Sequence, residues 1–240
     1  MDKIIVLPKK KKKTSYEQLL KENKHFNNIF RIVIIGKTSS GKTEVLFNLL
    51  FRKNFCLDLF KKGKGRVVAF TPMDDVIEEM AELAKKAKFK PENFTIYDEW
   101  DSEICRKEYN NLDPKKPNLF ILDDVSSYNF CSPIKKGIID QIMCNGRHKS
   151  LFAIFTSQKY KHLNQNIRST NTSHIIVMYG TSTADLEAIY KEHLDAILTD
   201  DQYKKLLKKY LSQKYSFFMV DSPKDQILDS EFKPINIEEL

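Results

Sequence analysis

The sequence predicts an α/β fold: a mostly parallel sheet with helices on both faces. Three observations predict it. Uninterrupted apolar stretches such as "IVII" (32–35) and "LFIL" (119–122) have the character of strands covered on both sides. Segments of helical period separate them, as expected when strand and helix alternate along the chain. Two of only seven glycines stand five apart in "GKTSSGKT", between one such strand and one such helix.

Composition bounds the answer. A chain of 240 residues with 41% hydrophobic side chains can bury a substantial core as one large domain. Charged residues make up 30% of it, and no apolar run approaches the roughly 18 residues of a membrane span. The start, "MDKIIVLPKKKKK", has four apolar residues before a proline, too short for a secretion signal. The protein is therefore expected on the reducing side of the membrane where it is made. Cysteines at 56, 105, 131 and 144 form no CxxC pair and have no histidine at metal spacing, so they read as small buried hydrophobes. A net charge of +8 makes an acidic polymer a reasonable partner.

The elements follow in order. Residues 1 to 13 read as a tail ending in a lysine run. Thr14 and Glu17 have capping-box spacing ahead of a helix in "YEQLLKENKHF". "FRIVIIG" (30–36) is a buried strand and "TEVLFNLLF" (43–51) a helix. "GRVVAFTP" (65–72) is a strand stopped by Pro72. "MDDVIEEMAELAKKAKF" (73–89) is an amphipathic helix with acids first and lysines last, matching its dipole. "NFTIYD" (93–98) is a short strand, and "KPNLFILDDVSS" (116–127) a buried strand ending in two aspartates. A helix over 134–149 precedes strands over 150–158 and 173–180. Helices over 182–194 and 200–211 lead to a last strand, "KYSFFMVD" (214–221), and a loose acidic end. The domains expected are a basic tail and helix over 1–28, one α/β domain over 29–222, and a tail over 223–240.

"GKTSSGKT" fits G-x-x-x-x-G-K-[ST] at Gly36, Gly41, Lys42 and Thr43. The spacing has a chemical reason. A triphosphate needs several backbone N–H groups aimed at its oxygens, and a loop that wraps so tightly uses dihedrals that glycine permits. Lys37, Thr38, Ser39 and Ser40 supply the body of that loop. The helix that starts near Gly41 adds its N-terminal donors and positive dipole end. Lys42 reaches the β- and γ-phosphates, and the Thr43 hydroxyl can ligate Mg²⁺. The expected ligand is a nucleoside triphosphate, and the fold expected is that of a P-loop NTPase.

Asp123 and Asp124 end a buried strand, at the edge where open α/β sheets bind ligands. Asp123 is expected to hold the Mg²⁺ directly or through water, and Asp124 to polarise the attacking water. About eighty residues, including a strand and a helix, separate Thr43 from Asp123, which fits ATPases with an inserted strand better than nucleotide kinases. "LFAIFTSQ" brings Gln158 to the same edge as a γ-phosphate sensor, with Thr156 and Ser157 as lesser candidates. Arg147, before that strand, is a candidate arginine finger for a neighbouring subunit, with Arg168 as the alternative. His148 reads as structural. Lys204, Lys205, Lys208 and Lys209 cluster on a late helix, as a DNA-facing patch or as a solvated face.

Taken together, "GKTSSGKT", "LFILDDVSS", "NGRHKSLFAIFTSQ", "NIRSTNTSHIIVMYG" and "KYSFFMVD" resemble the poxvirus-type genome-packaging ATPases of the FtsK–HerA superfamily, found in large DNA viruses and virophages. The resemblance covers roughly residues 30 to 221. It implies a 5-1-4-3-2 core strand order with extra strands, and ATP with Mg²⁺ as cofactors. It implies a ring that pumps double-stranded DNA into a preformed capsid, with capsid or portal proteins as partners. The location implied is the infected cell's cytoplasm, in virus factories, and the virion. Lys42 and Thr43 match the phosphate-loop pair, Asp123 the metal acid, Gln158 the sensor and Arg147 the finger. Asp124 departs from the pattern: the superfamily more often has glutamate there, one carbon longer. The competing classes are a nucleotide kinase, which needs an arginine-bearing lid, and a nucleotide-gated DNA-binding protein without turnover.

Overall fold

The computed structural model describes residues 16–53, 55–125 and 137–240, with side chains at all of these except 169 and 170. The lysine run, Thr14, Cys131 and the segment 126–136 lie outside the described residues. That segment contains the expected end of the acid strand and the expected start of the following helix.

Among the described residues, eight strands form one sheet: β1 (Arg31–Ile35), β2 (Val67–Phe70), β3 (Phe94–Tyr97), β4 (Asn118–Leu122), β5 (Leu151–Ser157), β6 (His174–Met178), β7 (Phe217–Asp221) and β8 (Gln226–Leu228). Their order is β3-β2-β4-β5-β1-β6-β7-β8. Strands β1 to β6 pair in parallel, while β7 and β8 run antiparallel to their neighbours. Read along β6-β1-β5-β4-β2, the sheet has the 5-1-4-3-2 order, extended by β3 at one edge and by β7 and β8 at the other.

The strands are apolar throughout because both faces are covered. Every residue of β2, β4, β5 and β6 is buried. Alternate side chains feed two cores: Ile32 and Ile34 face one, Val33 and Ile35 the other. The first core is covered by α1 (Glu17–Glu22), α2 (Lys42–Phe51), α3 (Leu57–Gly63) and α4 (Asp74–Lys86). The second is covered by α5 (Ser102–Asn110), α6 (Ile138–Asn145), α7 (Thr183–Ile189) and α8 (Asp200–Tyr210). Topology explains the division. The chain moves outward from β1 to β2 and β3, then returns through β4 and β5 to β6. Right-handed crossovers in opposite directions place their helices on opposite faces. The reversal puts a crevice at the carboxyl edge of the central strands, where the phosphate loop lies.

Several elements differ from the sequence expectation. Helices α3 and α5 occupy stretches with no assigned element. The expected helix over 182–194 ends as α7 at Ile189 and continues as a wider turn over Tyr190–Leu194. The chain after 222 is not a loose acidic tail: β8 pairs with β7, Leu228 bridges to Pro234, and Ile235 and Leu240 are buried. Cys56 and Cys105 are buried as expected, but Cys144 is exposed. It sits near the C-terminus of α6, where the helix turns toward solvent.

Candidate nucleotide site

The phosphate loop leaves β1 at Gly36, whose N–H donates to Ser157 O at 3.2 Å and extends the β1–β5 ladder by one step. A Cβ at Gly36 would collide with Ser40 Oγ and lie 2.6 Å from Met178 Cβ, so only glycine fits. Gly41 turns the chain into α2 at φ +95°, a conformation that favours glycine. Between them Ser39 also has positive φ, and the Ser40 N–H donates to Lys37 O at 3.2 Å. Lys42 Nζ arches over the loop and donates to Gly36 O at 2.8 Å and Lys37 O at 3.1 Å. Burial pushes the Lys42 pKa down, while Asp124 and Asp123 oppose that shift. The ammonium and both carboxylates therefore share one electrostatic site.

The acid pair is held by three strands. Asp123 N–H donates to Phe70 O at 2.9 Å, so β4 stays zipped to β2 up to the first aspartate. The Asp123 carboxylate is buried and accepts from two hydroxyls, Thr71 Oγ1 at 3.0 Å and Thr156 Oγ1 at 2.6 Å. Asp124 then turns out of the strand at φ 45°, and its N–H donates to Thr156 Oγ1 at 2.8 Å. Left-handed backbone at a non-glycine residue is costly and concentrates at functional sites. Gln158 Nε2 lies 3.2 and 3.4 Å from the two Asp124 oxygens, while Gln158 Oε1 accepts from Thr38 Oγ1 at 3.2 Å. A hydrogen-bonded chain Thr38–Gln158–Asp124 thus crosses the mouth of the loop.

The structure brings Gly36 through Thr43, Asp123, Asp124 and Gln158 to one sheet edge. It does not bring Arg147 there. Arg147 is exposed on the turn Gly146–Lys149, directly before β5, whose far end carries Gln158. Seven strand residues lie between, about 20 Å at roughly 3.3 Å per residue. Arg147 lines a cleft at the amino edge of the sheet with Arg31, Asn27 and Asn28. The Arg168 guanidinium is held by Glu192 at 3.3 Å. His148 is exposed, and so are Lys204, Lys205, Lys208 and Lys209 on α8. Thr71 was missed from the sequence. Its signal was a hydroxyl residue directly after an apolar strand, at the edge where the acids lie.

These residues fit a nucleoside triphosphate with Mg²⁺. Ser40 Oγ is buried with no hydrogen-bond partner among the described residues, and the collision at Gly36 shows how tightly the loop is wrapped. Among the described residues, no group of three or more His, Cys, Asp or Glu could hold a metal by itself. A hydroxyl and one or two carboxylates are the sparse donor set of a cation that keeps waters and takes phosphate oxygens, as Mg²⁺ does. No helix among the described residues is long and apolar enough to cross a membrane.

Fold and site together define a P-loop NTPase. Residues 77–221 match the family model described as "Poxvirus A32 protein", and the chain belongs to that family. The matched segment includes Asp123, Asp124, Arg147 and Gln158; the phosphate loop precedes it and rests on its own motif. Among solved structures, the chain resembles B204, the DNA-packaging ATPase of Sulfolobus turreted icosahedral virus, with 18% identity, TM-score 0.62, 88% of this chain and 100% of that one covered. It resembles the genome-packaging NTPase B204 of Sulfolobus turreted icosahedral virus 2, in complex with sulfate, with 17% identity, TM-score 0.62 and coverage of 87% and 98%. A more distant likeness is to EssC (ATPases 2 and 3) from Geobacillus thermodenitrificans: 13% identity, TM-score 0.51, covering 68% of this chain and 34% of that one. At these identities the likeness is one of fold. No curated protein matches the chain.

Proposed function

We propose that this chain is an ATP-hydrolysing motor that moves double-stranded DNA into a preformed viral capsid. One observation carries the chemistry: Lys42 of the phosphate loop, the acid pair after β4 and Gln158 after β5 meet at one site from three separate segments of chain. Membership of the A32 family and the fold shared with the B204 packaging ATPases supply the biological direction.

The roles follow from position. The loop N–H groups and Lys42 bind and orient the triphosphate, and Lys42 offsets charge on the β- and γ-oxygens. Thr43 and Asp123 would hold Mg²⁺, which would supply neutralisation of phosphate charge. Asp123 is suited to this because two hydroxyl donors fix its carboxylate in place. Asp124 accepts a proton from the attacking water. Gln158 links Asp124 to the loop residue Thr38, so it can register the γ-phosphate and aim the base in one movement. Arg147 stands at the opposite sheet edge, so it serves a neighbour's nucleotide rather than its own. That requires a ring of copies. The exposed lysines of α8 suit contact with DNA phosphates, independent of sequence and weakened by salt. The setting proposed is the infected cell's cytoplasm and the virion, with capsid or portal proteins receiving the motor.

The test is steady-state ATP hydrolysis with and without double-stranded DNA, at low and moderate salt, beside Lys42→Ala. DNA should stimulate turnover, salt should weaken the stimulation, and Lys42→Ala should abolish hydrolysis. Hydrolysis indifferent to DNA at both salts would move the chain to the kinase-like or other NTPase class. The same assay run below the ring's assembly concentration tests Arg147: turnover per chain should drop. A dilute monomer as fast as the assembled ring would remove Arg147 from the site.

A further inference from the structure

The scheme above uses the loop, its lysine and the wall on the β5 side. The opposite wall, on the β6–β7 side, is unused, and it carries Tyr215. This ring is one of two large hydrophobic side chains exposed among the described residues, at 57%. Its backbone has φ 72°, which is rare for a bulky residue. The surrounding turn is clamped in that shape: Ser216 N–H and Oγ both donate to Gln213 O, and Tyr179 N–H donates to Ser216 O at 2.9 Å. The ring lies against the phosphate loop. Its Cδ1 and Cε1 stand 3.1 and 3.8 Å from where a Cβ on Gly41 would be, beside the Met178 methyl group. Lys214 Nζ lies 4.7 Å from the ring centroid.

We infer that Tyr215 is the stacking platform for the nucleobase. The inference rests on the nucleotide reading of the loop and extends it to the base. Asp123, Asp124 and Gln158 occupy the β5 side, where hydrolysis occurs, so the γ-phosphate end of the ligand faces them. The nucleoside end then leaves the loop on the other side, past Gly41, where the exposed ring stands. A stacked base covers apolar surface otherwise left in water, which accounts for an aromatic residue in a conformation that favours glycine or asparagine. Stacking reads the π-face that every base offers and not the hydrogen-bonding edge. The platform therefore strengthens ATP and GTP binding alike.

The experiment is calorimetric titration of the full chain with ATP, GTP and inorganic tripolyphosphate, each with Mg²⁺, for wild type, Tyr215→Phe and Tyr215→Asn. Asparagine tolerates left-handed backbone, so it removes the ring without opposing the turn. The expected result is that Tyr215→Asn weakens ATP and GTP each by roughly 5- to 100-fold, the range of one base–aromatic stack. Tyr215→Phe should stay near wild type, and tripolyphosphate should bind all three proteins equally. ATP affinity unchanged in Tyr215→Asn overturns the platform while leaving the phosphate site intact. Equal loss of ATP and tripolyphosphate also overturns it, because the ring then acts through the loop. Failure of the wild type to bind either ligand overturns the nucleotide reading itself.

Discussion

Thr156 ties the acid pair to the neighbouring strand. Its hydroxyl donates to Asp123 and accepts from the Asp124 N–H, so one oxygen ties the Asp123 carboxylate and the Asp124 backbone to β5. Thr156→Val keeps the shape and removes both bonds, leaving a backbone donor and a carboxylate oxygen short of a partner. Stability should fall by about 1–3 kcal/mol. Turnover should fall at least ~10-fold, since misplacing a catalytic group by about an ångström costs that much or more. ATP affinity should change little, because the loop still holds the phosphates, and Thr156→Ser should recover turnover. Measuring kcat beside the ATP dissociation constant checks this, and an unchanged kcat would remove Thr156 from the machinery. The same residue shows what was legible in the sequence. Lys42 and Thr43 could be named because their spacing is local and the chemistry fixes it. Asp123, Asp124 and Thr156 could be named as strand-end candidates, but Thr71 and the bonds that join them could not, because residues 71, 123 and 156 meet only through the sheet order β2-β4-β5. Nothing local showed that Gln158 reaches across to Asp124.

At the scale of elements, the antiparallel end of the sheet depends on Asp221, the last residue of β7, paired in register with His174 at the start of β6. Burial alone would raise its pKa. His174 at 3.4 Å, Lys224 at 2.9 Å and Gln226 at 3.2 Å outweigh that and hold it at about 2. The folded-state pKa lies below the unfolded value near 4, so the stabilisation is present above about pH 4 and is lost as pH falls toward 2. Its size at neutral pH is about 2 kcal/mol. Asp221→Asn should lower the urea midpoint at pH 7 and flatten the acid limb of the stability curve between pH 4 and 2. A variant with the wild-type acid limb would show that another group sets it. The sequence did not reveal β8, which pairs next to Asp221, because three residues, "QIL", are too few to show a period. Helix α3 is similarly short, and its left-handed cap falls on Lys64 rather than on the glycine that usually signals a helix end. Helix α5 had a legible start, since the Asp101 side chain accepts from the N–H groups of Glu103 and Ile104. Its charged composition hid the single apolar face formed by Cys105 and Tyr109.

At the scale of the whole molecule, the candidate site residues lie on two opposite edges of the sheet. The carboxyl edge of the sheet holds Lys42, Asp123, Asp124 and Gln158, and the amino edge holds Arg147 beside Arg31. On the proposed function, the amino edge of one copy meets the carboxyl edge of the next, and a closed ring satisfies every copy. The net charge of +8 and the four exposed lysines on α8 are compatible with the polyanion partner proposed above. The apolar runs were legible at this scale because buried parallel strands are uniformly apolar, whereas the strand order came only from the family resemblance. The separation of the two edges needed the fold, since Arg147 and Gln158 are only eleven positions apart in sequence. The central claim is that hydrolysis moves DNA, and displacement of a third strand annealed to a defined site on a linear duplex tests it most directly. Wild-type protein with ATP and Mg²⁺ should strip the strand, with a delay that grows with distance from the free end, and Lys42→Ala should strip none. DNA-stimulated hydrolysis with the third strand left in place would contradict the account.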